Sequence, residues 1–129
     1  MQSTSTRRNP IAYAEIPVAD LERAIRFYEA VFGDPLERQL VDGYEMAFFR
    51  FADGAGGASG ALAKGDVYVP SRMGAIVYFS VDSIDDALAR AVTAGGEVLY
   101  PKKDVGDFGF VAEFGDSEGN RIALHQARA

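Results

Sequence analysis

His125 is the only imidazole in this 129-residue chain, and there is no cysteine. A chain without thiols has no disulfide, no thiolate nucleophile and no cysteine-based zinc or iron–sulfur centre. His125 is left with three kinds of work: ligating a metal, moving a proton, or lining a pocket wall. Imidazole alone titrates near neutral pH without help. Glu15 is the second candidate, a carboxylate within the apolar stretch "YAEIPV". It can serve as a general base or accept a hydrogen bond from a ligand; pairing with an arginine, or facing solvent at a rim, is the plainer alternative. Tyr13 and Tyr78 carry aromatic faces and hydroxyls, which suit stacking on a planar ligand or bonding its oxygens. They could equally fill a core around Glu15. In "KKDVGDFGFVAEF" (102–114), Gly106 and Gly109 flank Phe108 and Phe110. That pattern allows a mobile loop with an apolar lid, or an ordinary turn. Glu15 and His125 are thus the candidate catalytic residues. Tyr13, Tyr78, Phe108 and Phe110 are the candidate ligand contacts.

Other chemistries are poorly supplied. The glycine-rich "DGAGGASG" (53–60) lacks the GxxxxGK[ST] pattern and a following helix, so it is not a phosphate loop. There is no GxSxG elbow. The formal net charge of -6 argues against nucleic acid, whose binding rests on Lys and Arg neutralising phosphates. No apolar run approaches the roughly 20 residues of a membrane span. The opening "MQSTSTRRNP" has no apolar stretch behind its arginines, so residues 1–9 read as a flexible polar terminus rather than a secretory leader. Cytoplasmic location is the expectation, with neither nucleic acid nor membrane as partner.

The elements that must position these side chains come as a repeat. "VADLERAIRFYEAVFG" (18–33) and "VDSIDDALARAVTAGG" (81–96) align without a gap, and the same offset of 63 positions takes Phe51 to Phe114 and Asp53 to Asp116. Each half opens on an alternating strand. Ala14, Ile16 and Val18 face one way; Tyr13, Glu15 and Pro17 face the other. In the second half Val77, Phe79 and Val81 oppose Ile76, Tyr78 and Ser80. A helix follows each, with apolar stripes at Leu21, Ala24, Ile25, Tyr28 and Val31 or Phe32, and at Ile84, Ala87, Leu88 and Ala91. Asp20 and Ser83 sit at N-cap positions, Ser83 with Asp86 fits a capping box, and Gly33 and Gly95 or Gly96 end the helices. Three strands are expected after each helix: about 36–41, 44–52 and 58–63, then about 97–102, 109–115 and 121–126. Each half therefore reads as βαβββ, giving an α+β chain. Module one spans about residues 10–64, a linker 65–73, and module two about 74–126, within one domain over 10–129. Strand parity puts His125 on the same side as Glu15 and Tyr78, away from the helices.

The segments "AEIPVADLERAIRFYEAVFG", "YFSVDSIDDALARAVTAGGEVLYP" and "DSEGNRIALH", in that order, resemble the vicinal-oxygen-chelate superfamily. This group includes glyoxalase I, extradiol dioxygenases, fosfomycin-resistance enzymes and bleomycin-resistance proteins. The likeness covers roughly residues 10–126 and is nearest to small glyoxalase-like proteins. It implies two βαβββ modules forming a curved mixed β-sheet cup with helices on the outside, commonly paired as a homodimer. Members typically hold a divalent metal through His, Glu or Gln on the first and last strands of each module, with open positions for substrate oxygens. Carried onto this chain, those positions are Tyr13, Gly60 or Ala61, Ile76 and Ala123, and none supplies the usual donor. The expectation is therefore no metal and no other cofactor. The expected function is a metal-independent pocket for an unidentified small molecule, lyase- or isomerase-like if it is catalytic. The alternative is a non-catalytic drug or metabolite binder of the bleomycin-resistance type.

Overall fold

Helix α1 (Leu21–Phe32) starts where Asp20, in extended conformation, accepts a hydrogen bond from the Arg23 amide at 3.0 Å. It stops at Gly33, whose φ of +85° favours a residue without a Cβ and whose N–H bonds the Glu29 carbonyl at 2.9 Å. Between these ends, Leu21, Ala24, Phe27, Tyr28 and Val31 form the buried stripe. Phe27 joins the expected set, while Ile25 is only half-buried. Helix α2 (Ile84–Thr93) starts at Ser83, whose hydroxyl accepts from the Asp86 amide at 3.1 Å. Its next orphan donor, the Ile84 amide, bonds the Gln126 side chain at 2.9 Å.

The computed structural model of the chain describes residues 9–129. The expected flexible terminus lies outside them apart from Asn9. In chain order the strands are β1 (Tyr13–Val18), β2 (Glu37–Val41), β3 (Tyr44–Phe48), β4 (Ser59–Lys64), β5 (Val77–Ser80), β6 (Glu97–Asp104), β7 (Phe110–Gly115) and β8 (Arg121–Gln126), with α1 after β1 and α2 after β5. They form two four-stranded mixed sheets, ordered β1-β4-β3-β2 and β5-β8-β7-β6. In each, the first strand lies parallel to the last and the remaining pairs are antiparallel. The two βαβββ modules are therefore present, with the curved wall divided between two sheets.

Two strands differ in length from expectation. β3 ends at Phe48, although the Phe49 amide still bonds the Gly60 carbonyl at 2.9 Å; the Phe49 ring faces the core, meeting Tyr28 edge-on at 5.5 Å and Phe79 at 5.2 Å. The Ser59 hydroxyl, donating to the Arg50 carbonyl at 2.9 Å, closes that end of the sheet. β6 runs past Lys102 to Asp104, with register shifts on either side of Tyr100. It is an edge strand, where Pro101 breaks no obligatory ladder bond.

One apolar core joins the modules. It contains Ile16, Val18, Phe27, Tyr28 and Leu62 from the first, and Ile84, Ala87, Phe114, Ile122 and Leu124 from the second. Aromatic contacts cross the seam: Phe32 stacks on Phe79 at 4.4 Å, and Phe27 meets Phe114 at 5.8 Å. The turn Asp116–Asn120 pins the same seam. Buried Asp116 accepts the Tyr28 hydroxyl at 2.6 Å and the Asn120 amide at 2.8 Å. The Asn120 side chain donates to the Pro17 carbonyl at 2.8 Å and accepts from the Ser71 amide at 3.0 Å. No helix among the described residues is long and apolar enough to cross a membrane.

Candidate functional site

Alternation along β1 sends Ile16 and Val18 into the core, so Tyr13 and Glu15 project from the opposite face. The same alternation in β3 and β4 brings Tyr44, Met46, Phe48, Ala61 and Ala63 to that face, where they form a second, smaller apolar cluster. Glu15 sits at its centre of polarity. Its Oε2 accepts the Tyr13 hydroxyl at 2.6 Å, and its Oε1 accepts the Tyr68 hydroxyl at 2.7 Å. Tyr13 stacks beside Phe48 at 6.2 Å, and Tyr68 meets Tyr44 edge-on at 5.3 Å. Burial and then the bond to Glu15 raise the pKa of Tyr13. The Tyr68 phenol is pushed up to about 12, first by its hydrogen bond to Glu15 and then by burial. Both stay protonated at physiological pH and act as donors.

His125 belongs to a separate group on the second sheet. It neighbours Ser80 on β5 and Val111 on β7. Its Nε2 bonds the Phe108 carbonyl, and the Phe108 ring lies 4.6 Å from the imidazole. A carbonyl only accepts, so Nε2 carries the proton and Nδ1 is left for another partner. Four residues earlier on β8, Arg121 pairs with Glu113. No hydrogen bond or shared partner among the described residues joins Glu15 to His125; parity placed both away from the helices, but they stand on different sheets.

Phe108 lies in the 3-10 turn Gly106–Phe108 and is 63% exposed. Phe110 faces the other way. In register with Gln126, it shares the parity of Ala112 and Phe114, packs against the core, and lies under the Lys102 and Arg128 cations at 5.1 and 4.7 Å. Of the two rings expected at an apolar lid, Phe108 is exposed and Phe110 is packed against the core.

A hollow of about 1410 Å³ opens between β1 and β5. Each of these strands hydrogen-bonds on one side only, β1 to β4 and β5 to β8. Tyr13 and Tyr78 line the hollow with Ile11, Ile76, Phe49 and Arg50, and the glycine-rich segment 55–60 borders it. Of the six candidate site residues it unites Tyr13 and Tyr78; Glu15, His125, Phe108 and Phe110 are not among its lining.

The family's metal positions fall on Tyr13, Gly60 or Ala61, Ile76 and Ala123. A Cβ at Gly60 would stand 2.1 Å from the Ala14 carbonyl oxygen. Ala61 and Ala123 are fully buried methyls, and Ile76 is a partly exposed hydrocarbon. The Tyr13 hydroxyl is committed to Glu15. Among the described residues no three of His, Asp and Glu gather as a ligand set. The residues present do not fit the family's metal.

Tyr68 is the site residue that sequence reading missed. It sits in the segment read as a linker, with only the aromatic of "VYV" (67–69) as a signal. A turn bond from its amide to the Gly65 carbonyl, 3.0 Å, folds it back over the sheet.

Residues 10–124 match the model of the Glyoxalase/Bleomycin resistance protein/Dioxygenase superfamily. Over 121 residues the chain is 30% identical to the protein called "Putative glyoxylase CFP32" in Mycobacterium bovis and in Mycobacterium tuberculosis, covering 89% of this chain and 44% of the relative. It therefore spans less than half the length of those curated relatives. Among solved structures, a glyoxalase/bleomycin resistance protein from Albidiferax ferrireducens superposes with a TM-score of 0.71 at 20% identity, over 92% of this chain and 99% of that one. A glyoxalase I variant from Zea mays gives 0.66 at 22% identity, over 91% and 46%. TnmS3, an antibiotic binding protein from a Streptomyces species, gives 0.64 at 25% identity, over 94% and 98%. The duplicated module, its connectivity and the match across 10–124 agree: the chain belongs to the glyoxalase/bleomycin resistance protein/dioxygenase superfamily.

Proposed function

We propose that this chain is a small-molecule binding protein that works without a metal, its ligand lying in the hollow between β1 and β5. The observation that carries this reading is the pairing of that hollow, walled by Tyr13 and Tyr78, with metal positions occupied by glycine, alanine and isoleucine. Its size suits a drug-like or larger ligand. The likeness to TnmS3, itself an antibiotic binding protein, supports binding without turnover. The purified protein, loaded with Ni, Zn or Mn and dialysed, should retain far less than one metal per chain by elemental analysis. Stoichiometric retention would overturn the metal-free reading. A planar drug or metabolite bound in the hollow should raise the melting temperature with ligand concentration, and Tyr78→Ala should remove most of that shift.

The second reading is a lyase- or isomerase-like enzyme. The Nδ1 of His125, without a hydrogen-bond partner among the described residues, and the exposed Glu15 carboxylate favour it, as does the likeness to a protein called a glyoxylase. On a substrate found by screening oxygenated metabolites, Glu15→Gln and His125→Ala should each lower kcat by about 100-fold or more. Full turnover in both variants would exclude them as acid or base.

A second copy is proposed to complete the hollow, because Ile11, Ile76 and Tyr78 expose apolar surface at its mouth. Light scattering should give twice the chain mass, and Ile76→Glu should halve it.

A further inference from the structure

On the helix side of the molecule, away from the hollow, α1, the end of α2 and the turn after β7 enclose a cavity of about 440 Å³. Its walls are Arg23, Arg26, Phe27, Ala94, Gly95 and Ser117. That volume falls within the range of small-molecule sites, about 300–1,000 Å³. Two guanidinium groups line it and no carboxylate does. The cavity also crosses the seam, since α1 belongs to the first module and the remaining walls to the second.

The two arginines differ. Glu118 grips Arg23 through Nε at 2.7 Å and Nη2 at 2.9 Å. Glu118 also accepts the Ala19 and Asp20 amides and the Ser117 hydroxyl. These donors already exceed the roughly four acceptor sites of a carboxylate, so none is left for Arg26. Asp20, the other acid close to Arg23, is engaged as the N-cap of α1. Glu22 and Glu29, on the same helix, serve Arg38 and the Leu36 amide. Eight arginines fall among the described residues, and seven have an ion-pair or hydrogen-bond partner there; Arg26 is the exception. An unpartnered guanidinium is unexpected in a chain whose carboxylates outnumber its Lys and Arg by 19 to 13.

The vacant donors define the ligand. A guanidinium has about five N–H donors, so Arg23 keeps about three and Arg26 all of its own. Such a fork matches a planar oxyanion. Phe27 and Ala94 add an apolar wall, which favours an organic body over a bare ion. Charge selects among the oxyanions. Arg23 and Arg26 are both cationic and Glu118 is anionic, so a monoanion balances the group. A phosphate monoester, at about −1.5 to −2, overcharges it. The net charge of -6 weighs little here, because exposed charges beyond about 8 Å are screened at physiological ionic strength.

We infer that this cavity is a second ligand site, for a small organic carboxylate with a flat apolar body. It is independent of the hollow, with which it shares no lining residue. Arg23, fixed by Glu118, presents the free edge of its guanidinium, and Arg26 meets the carboxylate from the next turn of the same helix. The body rests on Ala94 at the end of α2, so a bound ligand adds a tie between the modules.

The test uses the full-length protein and three probes, benzoate, benzamide and phenyl phosphate, followed by amide chemical shifts at neutral pH and constant ionic strength. Benzoate should shift the amides of Arg26, Ala94, Gly95 and Ser117 saturably. Neutral benzamide should bind there at least about tenfold more weakly, and phenyl phosphate more weakly than benzoate. Arg26→Gln, at an exposed position without a partner among the described residues, should keep the fold and weaken benzoate by about tenfold. Arg26→Lys, which keeps the charge but not the fork, should weaken it by less. Equal binding of benzamide, tighter binding of phenyl phosphate, or unchanged benzoate binding in Arg26→Gln would overturn the inference. Shifts that sodium chloride reproduces would overturn it as mere screening. Shifts confined to Ile76 and Tyr78 would overturn it too, yet leave the hollow as a binding site, and absence of any shift would sink it outright.

Discussion

Carboxylates in turns are usually solvated, but Glu118 receives the Ala19 and Asp20 amides at 2.9 Å each and the Arg23 guanidinium at 2.7 Å. Burial works to raise its pKa; the bonds from Arg23, Asp20, Ser117 and Ala19 outweigh burial and bring it down to about 2 from an ordinary 4.5. A depressed carboxylate stabilises the fold above its unfolded pKa, and that contribution fades as pH falls towards the folded one. Stability should therefore drop between about pH 4.5 and pH 2, by about 2 kcal/mol after allowance for the half-exposed Arg23. Urea titrations across this range check it, and Glu118→Gln should flatten that part of the profile. Tyr68 gives a second reading at this scale. In Glu15→Gln its phenol loses the carboxylate that raises it, so ultraviolet titration should move its midpoint down from about 12 towards 10. An unmoved midpoint would show that the Tyr68–Glu15 bond is not formed in solution.

At the level of elements, β1 and β4 approach so closely that Gly60 has no room for a side chain. Gly60→Ala should cost about 2 kcal/mol or more through displacement of the β1 backbone, measured by denaturant midpoint at constant m-value. Periodicity located both helices and all eight strands, since a 3.6-residue stripe and a two-residue alternation leave direct marks in the sequence. The end of β3 was not legible, because Phe49 keeps the alternation, its amide still bonding the Gly60 carbonyl and its ring meeting aromatic partners on α1 and β5, so its residue type marks no stop. Phe110 illustrates the same limit. The glycines before it, Gly106 and Gly109, suggested a loop, but strand register with Gln126 turned its ring towards the core.

For the molecule as a whole, the two modules share one core across the Phe32–Phe79 and Phe27–Phe114 contacts. Phe79→Ala should therefore destabilise both halves together, by about 3 kcal/mol. Far-ultraviolet and near-ultraviolet signals should still melt at one temperature; separate transitions would show the modules to be independent. Local spacing encoded the duplicated βαβββ plan and the parity that turns Tyr13, Glu15, Tyr78 and His125 away from the core, because each is a property of residues near one another in the chain; the resemblance added which positions lack the family's usual donors. Assembly decided which of those side chains meet. Glu15 and His125 share a parity but stand on different sheets, and Tyr68, 53 positions from Glu15, supplies its second phenol. Such pairings depend on how sheets and connecting segments pack, and no periodicity within one element records that.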